Sequence, residues 1–261
     1  MREAGVGDDL IVWRDGGRLG LYFLERGSDP RPSRVLYDRA DSCVAQLKPG
    51  DVDWDSALDG CAHFHTTGIT AALSRGCLEL LREGLFRARA RGISTSLDFN
   101  YRSALWSRER ARRALLPLLS QVNHLILSPG DGALLLNREG MEPEAIARAL
   151  TGKFGCDSVA MTMREDLTHN RTRWSAMAWD GAVSREGRCY ELEVVDRIGA
   201  GDAFAAGYIY GVLHGDLDLA LRAGGAMAAL KHGIPGDMLI AHADEVEEIL
   251  EEEGKLSRLR R

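Results

Sequence analysis

Two short runs of alternating, β-prone residues, 18–25 (RLGLYFLE) and 33–39 (SRVLYDR), flank a stretch rich in Gly, Pro and Asp. That is the pattern of a long hairpin. From about residue 60 the pattern changes: apolar runs at 61–65, 93–99, 124–128 and 158–162 alternate with helical segments at 73–91, 107–119 and 142–152. Strand and helix in regular alternation predict an α/β fold, a doubly wound, mostly parallel sheet covered on both faces. A β-rich stretch over 174–195 follows, then a glycine turn, then helices at 202–214, 217–232 and 242–252. No internal repeat or low-complexity segment interrupts this order. The start is abrupt, because 1–5 reads as the end of a helix and the first strands form a hairpin rather than a βαβ unit.

Composition narrows the picture. With 261 residues and 45% hydrophobic content, the chain suits one large domain or a core with a small appendage. A net charge of −6 argues against nucleic acid as a partner, which would want a basic excess. The segment MREAGVGDDLIVW has no apolar signal core, and no run is long enough to span a bilayer, so no membrane partner is expected and the expected location is cytoplasmic. Cys43, Cys61, Cys77, Cys156 and Cys189 are scattered without a CxxC pair, which suits small buried thiols in a reducing compartment. The basic end Lys255–Arg261 reads as a cap on a frayed terminus. Met161, Met163, Met177 and the tryptophans read as core or interface filling.

The segment from Val194 to Gly207, VVDRIGAGDAFAAG, carries the clearest chemistry: an apolar strand runs into two glycines and then into an alanine-rich helix. The glycines allow a sharp turn and close approach of a ligand to peptide N–H groups. The helix start points unpaired donors and the positive end of its dipole at one spot, where a transferring phosphoryl group would be stabilised. Asp202, in that first turn, can accept a proton from an attacking hydroxyl; taken alone, it reads first as a helix cap. Arg102, just past the run 93–99, lies where open α/β sheets collect ligands, although a surface salt bridge would use the same residue type. Alternation places Tyr37 and Arg39 on one face of the hairpin, and a strand tyrosine packed on a core is the plain reading of Tyr22 and Tyr37. Asp237 is, on spacing alone, a turn residue. His63 and His65 share a strand face, but no third ligand has recognisable spacing, so a strand-end position near the crevice fits them better than a metal pair.

Taken together, RLGLYFLE, VLYDRA, TTGIT, DFNYRSALW, VVDRIGAGDAFAAG and ALKHGIPGD resemble, in the same order, the ribokinase or PfkB-type carbohydrate kinases, and within them the branch acting on 2-dehydro-3-deoxygluconate. The resemblance implies a ribokinase-like fold, with 1–16 a remnant of the segment before the lid, 17–44 a β-lid hairpin and 45–261 a nucleotide- and substrate-binding core. It implies phosphorylation of the sugar acid's terminal hydroxyl by ATP with Mg2+, Asp202 as base and the amides of Gly199, Ala200 and Gly201 as anion hole. By the same resemblance Tyr22, Tyr37, Arg39, Asn100, Arg102, Asp202 and Asp237 contact the sugar acid, and Arg164, in a loop 162–166, meets the nucleotide. A homo-oligomer through the lid is among the assemblies it allows, and no side chain is assigned as a metal ligand. Two departures stand out. Where many relatives have an Asn-x-x-Glu that organises magnesium, this chain has Ser128-Pro129-Gly130-Asp131, so that Asp131 would replace the acid. The family's opening strand, glycine pair and Asn-bearing helix have no counterpart before the lid, which is compatible with a misplaced start, a fragment or a natural short form. The chain as written is therefore expected to be poorly stable and weakly active. The alternatives are a kinase for a neutral sugar such as fructose, against which Arg39 and Arg102 argue, and a non-catalytic remnant binding nucleotide or a partner subunit.

Overall fold

The computed structural model describes residues 2–27 and 31–251; the basic end Lys255–Arg261 and Met1 lie outside them. The chain forms two compact units, Met1–Thr162 with Ala178–Ser184, and Met163–Met177 with Arg185–Arg261.

In the first unit, β1 (Leu21–Glu25) and β2 (Arg34–Asp38) form the expected antiparallel hairpin, with Tyr22 opposite Tyr37 and Phe23 opposite Leu36. An ion pair between Arg18 and Asp38, 2.6 Å long, closes its base. Both strands are largely exposed, so the hairpin is not buried in a core. The remaining elements alternate: α1 (Trp54–Ala57), β3 (His63–Thr67), α2 (Gly68–Leu73), α3 (Arg75–Ala90), β4 (Ser94–Asp98), α4 (Arg108–Leu115), β5 (His124–Leu127), α5 (Pro129–Leu136), α6 (Pro143–Phe154) and β6 (Ser158–Asp166, its residues from Met163 on in the second unit). Strands β3, β4, β5 and β6 are parallel neighbours in that order. The helices start where polar side chains accept the first N–H groups: Asp53, Thr67, Ser74, Ser107 and Ser128 each cap one.

Three differences from the expected pattern have local causes. The strand expected at 61–65 begins two residues later, because the Cys61 N–H still bonds back to Leu58 in a turn. Helices α2 and α5 were not expected; each starts directly from a strand end through its Thr or Ser cap. The presumed loop 162–166 is the outer part of β6, so Arg164 sits on a strand.

The sheet of the first unit has two unlike faces. Phe64, Leu97 and Leu125 alternate onto one, where Phe64 meets Trp54 edge-on at 5.5 Å beside Leu58 and Leu80. Onto the other come His63, His65, Ser94, Ser96, His124 and Ser158. His63 bonds Ser94 (3.0 Å) and Ser96 (2.7 Å), His65 shares Ser96 (2.7 Å), and His124 bonds Ser158 (2.8 Å).

In the second unit, β7 (Arg171–Trp179, its last two residues in the first unit) is paired antiparallel by β9 (Tyr190–Glu193), with β8 (Ser184–Glu186) also its neighbour. Then come α7 (Ala200–Leu213), α8 (Leu217–His232) and α9 (Ala243–Glu251). The runs AGDAFAAG and AGGAMAA let α7 and α8 approach so closely that a Cβ at Gly207 or Gly211 would overlap the backbone of Ala223 or Ala220. Phe204 and Tyr208, both fully buried, stack at 5.7 Å, and Trp174 packs on Phe204 at 5.5 Å. Burying each such ring stabilises the unit by roughly 2–3 kcal/mol.

Of the cysteines, all free, Cys77 and Cys156 are buried as expected, Cys43 and Cys61 are half-buried, and Cys189 is exposed. Trp13, 78% exposed, is likewise not core filling in this unit. Among the described residues no helix is long and apolar enough to cross a membrane.

The histidine face gives the first unit a defined acid response. Burial, and then the neighbouring rings of His124 and His65, push His63 down to about 4. The folded chain keeps this ring neutral while the unfolded chain protonates it near 6.5. Stability is therefore expected to fall as pH drops from 6.5 towards 4, by up to roughly 3 kcal/mol from this residue, and to level off below. In His63→Gln that part of the slope should vanish, read from urea unfolding at pH 7, 5.5 and 4.5; an unchanged slope would assign it to other groups.

Candidate active site

The glycine turn before α7 lies within the second unit and is built from a buried carboxylate outward. After β9 the chain is pinned to the end of α8, because the Val195 and Asp196 N–H groups both donate to the His232 carbonyl, at 2.8 and 3.1 Å. Asp196 is 4% exposed. One of its oxygens accepts the Ile198 N–H and the other the Gly236 N–H, each at 3.0 Å. This reverses the strand and brings Gly199 to the N-cap of α7 with φ +82°, a left-handed conformation that favours glycine. Glycine is also required for space, since a Cβ would collide with the carbonyl oxygen of Asp237.

Helix α7 then starts with Ala200 buried and Gly201 and Asp202 exposed. The Ala200 N–H turns back to the Arg197 carbonyl at 3.3 Å, and the Ala203 N–H takes that of Gly199 at 2.8 Å. The N–H groups of Gly201 and Asp202 fall in the first turn, where the helix offers no carbonyl four residues back. Gly201 has open space where a side chain would be. A fourteen-residue helix with free donors and an open approach at its start suits a phosphate, and the exposed Asp202 carboxylate stands at the same place. Asp237 is brought to this turn by its backbone and is exposed.

Arg164, about half exposed, lies 3.4 Å from Asp166. The same carboxylate oxygen takes a 2.8 Å bond from Arg197. Burial works to raise the Asp166 pKa, but the Arg197 hydrogen bond and the charges of Arg164 and Arg197 outweigh it and hold the carboxyl below its ordinary range. Arg197 was not singled out in the sequence, although it precedes the glycines by two residues. Its relation to Asp166, 31 residues away, leaves no spacing signal.

Of the residues expected to bind the sugar acid, Tyr22, Tyr37, Arg39, Asn100 and Arg102 lie in the first unit, whereas Asp202 and Asp237 belong to the second. Beyond β4, the Phe99 N–H bonds Ile126 at 2.9 Å and its ring is fully buried. Asn100 follows in the left-handed region, φ 43°, which Asn tolerates, and donates to Asp98 at 3.0 Å. Arg102 projects from the next turn and is exposed; that turn is anchored by buried Trp106, whose carbonyl accepts the Tyr101 hydroxyl at 3.1 Å. Asp131 forms a capping box with Ser128 at the start of α5. Burial raises its pKa; the Ser128 bonds and the charges of Arg102 and Arg108 act against that. Its carboxylate thus has a helix-capping task at the position read above as a substitute magnesium acid.

On the hairpin, the Tyr22 and Tyr37 rings lie 6.3 Å apart on one face, and the Arg39 guanidinium sits 3.8 Å over the Tyr37 ring. The structure therefore gathers Tyr22, Tyr37 and Arg39. His63 and His65 are occupied by serine hydroxyls, and among the described residues no group of three or more His, Cys, Asp or Glu is disposed to hold a metal ion.

A family model described as pfkB family carbohydrate kinase matches residues 1–242. The 2-dehydro-3-deoxygalactonokinase of Haloferax volcanii is 37% identical over 96% of this chain and 76% of its own length. The 2-dehydro-3-deoxygluconokinase of Thermoproteus tenax is 30% identical over 96% and 74%. Among solved structures, the 2-dehydro-3-deoxygluconokinase of Thermotoga maritima superposes with a TM-score of 0.90 and 38% identity, covering 95% of this chain and 77% of that one. The fold is thus ribokinase-like, a mixed and mostly parallel sheet with a small antiparallel sheet.

The turn makes a stringent test of the site. In Gly199→Ala, left-handed strain of about 1–3 kcal/mol adds to the collision with Asp237. We expect a melting temperature several degrees lower and nucleotide affinity reduced at least about tenfold, by calorimetry. Gly201→Ala, which meets open space, should melt like the wild type; equal damage from both would refute the geometry.

Proposed function

Because this chain belongs to the pfkB family of carbohydrate kinases, and is a sugar kinase, we propose that it transfers the γ-phosphoryl group of ATP to the terminal hydroxyl of 2-dehydro-3-deoxygluconate. The observation that carries this reading is the exposed Asp202 in the first turn of α7, directly after the left-handed Gly199. In the proposed reaction Asp202 takes the hydroxyl proton as that oxygen attacks phosphorus. The first-turn N–H groups, with the helix dipole behind them, stabilise the negative charge on the transferring group. ATP would supply the phosphoryl group, and a magnesium ion bound with it would supply part of the counter-charge, with no side chain of this chain assigned to hold it. Arg164 meets the nucleotide, and Asp237 contacts the sugar acid.

A sugar acid rather than a neutral sugar is favoured by two cations, Arg102 and Arg39, with Asn100, Tyr22 and Tyr37 as hydroxyl partners. A guanidinium recognises a carboxylate with charge-assisted hydrogen bonds. The names of the relatives support the same substrate class, and the Haloferax enzyme favours a second reading in which the galactonate epimer is the better substrate.

A panel of 2-dehydro-3-deoxygluconate, its galactonate epimer and fructose tests the substrate. Turnover is expected with the sugar acids; turnover of fructose alone would overturn the reading. Asp202→Asn is expected to lower kcat by about 10²–10⁴ with nucleotide affinity retained, since the amide keeps the shape but takes no proton. Full kcat in this variant would end the base assignment. Arg102→Met should raise KM for the sugar acid roughly ten- to a hundredfold and leave that for ATP nearly unchanged. An equal rise for both would indicate damage to the fold instead.

A further inference from the structure

Lys231 is a fully buried lysine that the reaction as described does not use. An ammonium is rarely taken out of water unless it is paired or hydrogen-bonded. It lies in the last turn of α8, where a cation complements the partial negative charge of the helix end. Its Nζ donates to the Ile234 carbonyl at 2.7 Å, and the Ile234 N–H returns to the Lys231 carbonyl at 3.1 Å. Lys231 therefore holds the first part of the loop 233–237.

The second part of that loop belongs to the phosphate-binding turn. The Gly236 N–H is held by the same Asp196 carboxylate that takes the Ile198 N–H, and the Asp237 carbonyl lies where a Cβ of Gly199 would be. The loop is thus a backstop to Gly199, fixed at one end by a buried ammonium and at the other by a buried carboxylate. Any shift of Ile234 is passed over three residues to the carbonyl that abuts Gly199. From there it reaches the direction of the first-turn N–H groups of α7.

We propose that Lys231 is a positioning residue for phosphoryl transfer, holding the Ile234–Asp237 loop against Gly199 so that the α7 donors keep their aim. This rests on the reading of the Gly199–Asp202 turn as the phosphoryl site. Lys231 acts through the loop. Its loss should fall on kcat, where the donors meet developing charge, more than on KM for the sugar acid.

Lys231→Met keeps length and removes charge. Its kcat should fall at least about tenfold with KM for the sugar acid within roughly twofold. In Lys231→Ala, which vacates the space, ammonium or methylammonium chloride should restore part of kcat, and tetramethylammonium at equal ionic strength should not. Amide hydrogen exchange at 196–202 should quicken. A folded variant with kcat within twofold of wild type, or one whose loss neither responds to ammonium nor accompanies faster exchange there, overturns the proposal.

A second measurement uses the wild type. In 15N-lysine-labelled protein, the slowly exchanging ammonium signal at neutral pH that is missing from Lys231→Met belongs to Lys231. Coupling between the loop and the turn is reciprocal, so adding ADP with magnesium should shift that signal. A signal unmoved at saturating ADP refutes the coupling. If the wild type phosphorylates no sugar while ADP still shifts the signal, the proposed reaction fails and the positioning role stands. If turnover is normal and Lys231→Met matches it, only the positioning role fails.

Discussion

The glycine turn that starts α7 depends on one buried carboxylate. Asp196 takes the Ile198 N–H on one oxygen and the Gly236 N–H on the other, and so joins two backbone segments 38 residues apart with a single side chain. Without it neither the reversal after β9 nor the close approach of Asp237 to Gly199 has a fixed geometry. Hydrogen bonds to a charged group of this kind are worth more than neutral ones, because leaving the group unmet in the interior is costly. The His232 carbonyl, accepting two N–H groups from the same strand end, adds a further fastening from α8.

Close packing of α7 on α8 extends that fastening along both helices. Small residues at Gly207, Gly211, Ala220 and Ala223 bring the backbones together, and the large rings of Phe204 and Tyr208 fill the remaining space. A rigid helix is what gives an anion site at its N-terminus a constant direction. The residues that make α7 poor in polar positions thus fix the direction of its first turn, where Asp202 is the polar, exposed exception.

In the first unit the polar and apolar faces of one sheet are kept apart by simple alternation. Serine hydroxyls meet imidazoles strand by strand across the register of β3, β4, β5 and β6, which satisfies groups that would otherwise be buried without partners. The hairpin shows the opposite economy. Its Tyr37 and Arg39 are ordered against each other rather than against a core, so the guanidinium is held in place while the strand remains exposed.

Alternating strands and helices, the hairpin and the glycine turn before an alanine-rich helix were legible in the sequence, because each rests on local periodicity or on conformations only glycine adopts freely. Tyr37 and Arg39 could be placed on one face for the same reason, since a strand's period of two is set by its backbone; that Tyr22 joins them follows from the hairpin register. The start of α2 was not legible, because a Thr at a strand end becomes a cap only once the next residues turn. That of α5 was overlooked, since Ser128-Pro129-Gly130-Asp131 before an apolar run has the spacing of a capping box. Spacing could not tell that Arg164 lies on a strand. Asp196, Arg197 and Lys231 lay outside its reach altogether. Their tasks are set by Gly236, Asp166 and Ile234, groups that become neighbours only through the turn after β9 and the end of α8. Local sequence thus determined most of the elements and where the glycine turn lies; tertiary structure decided what holds that turn in shape, because a buried charge takes its role from partners that folding alone brings to it.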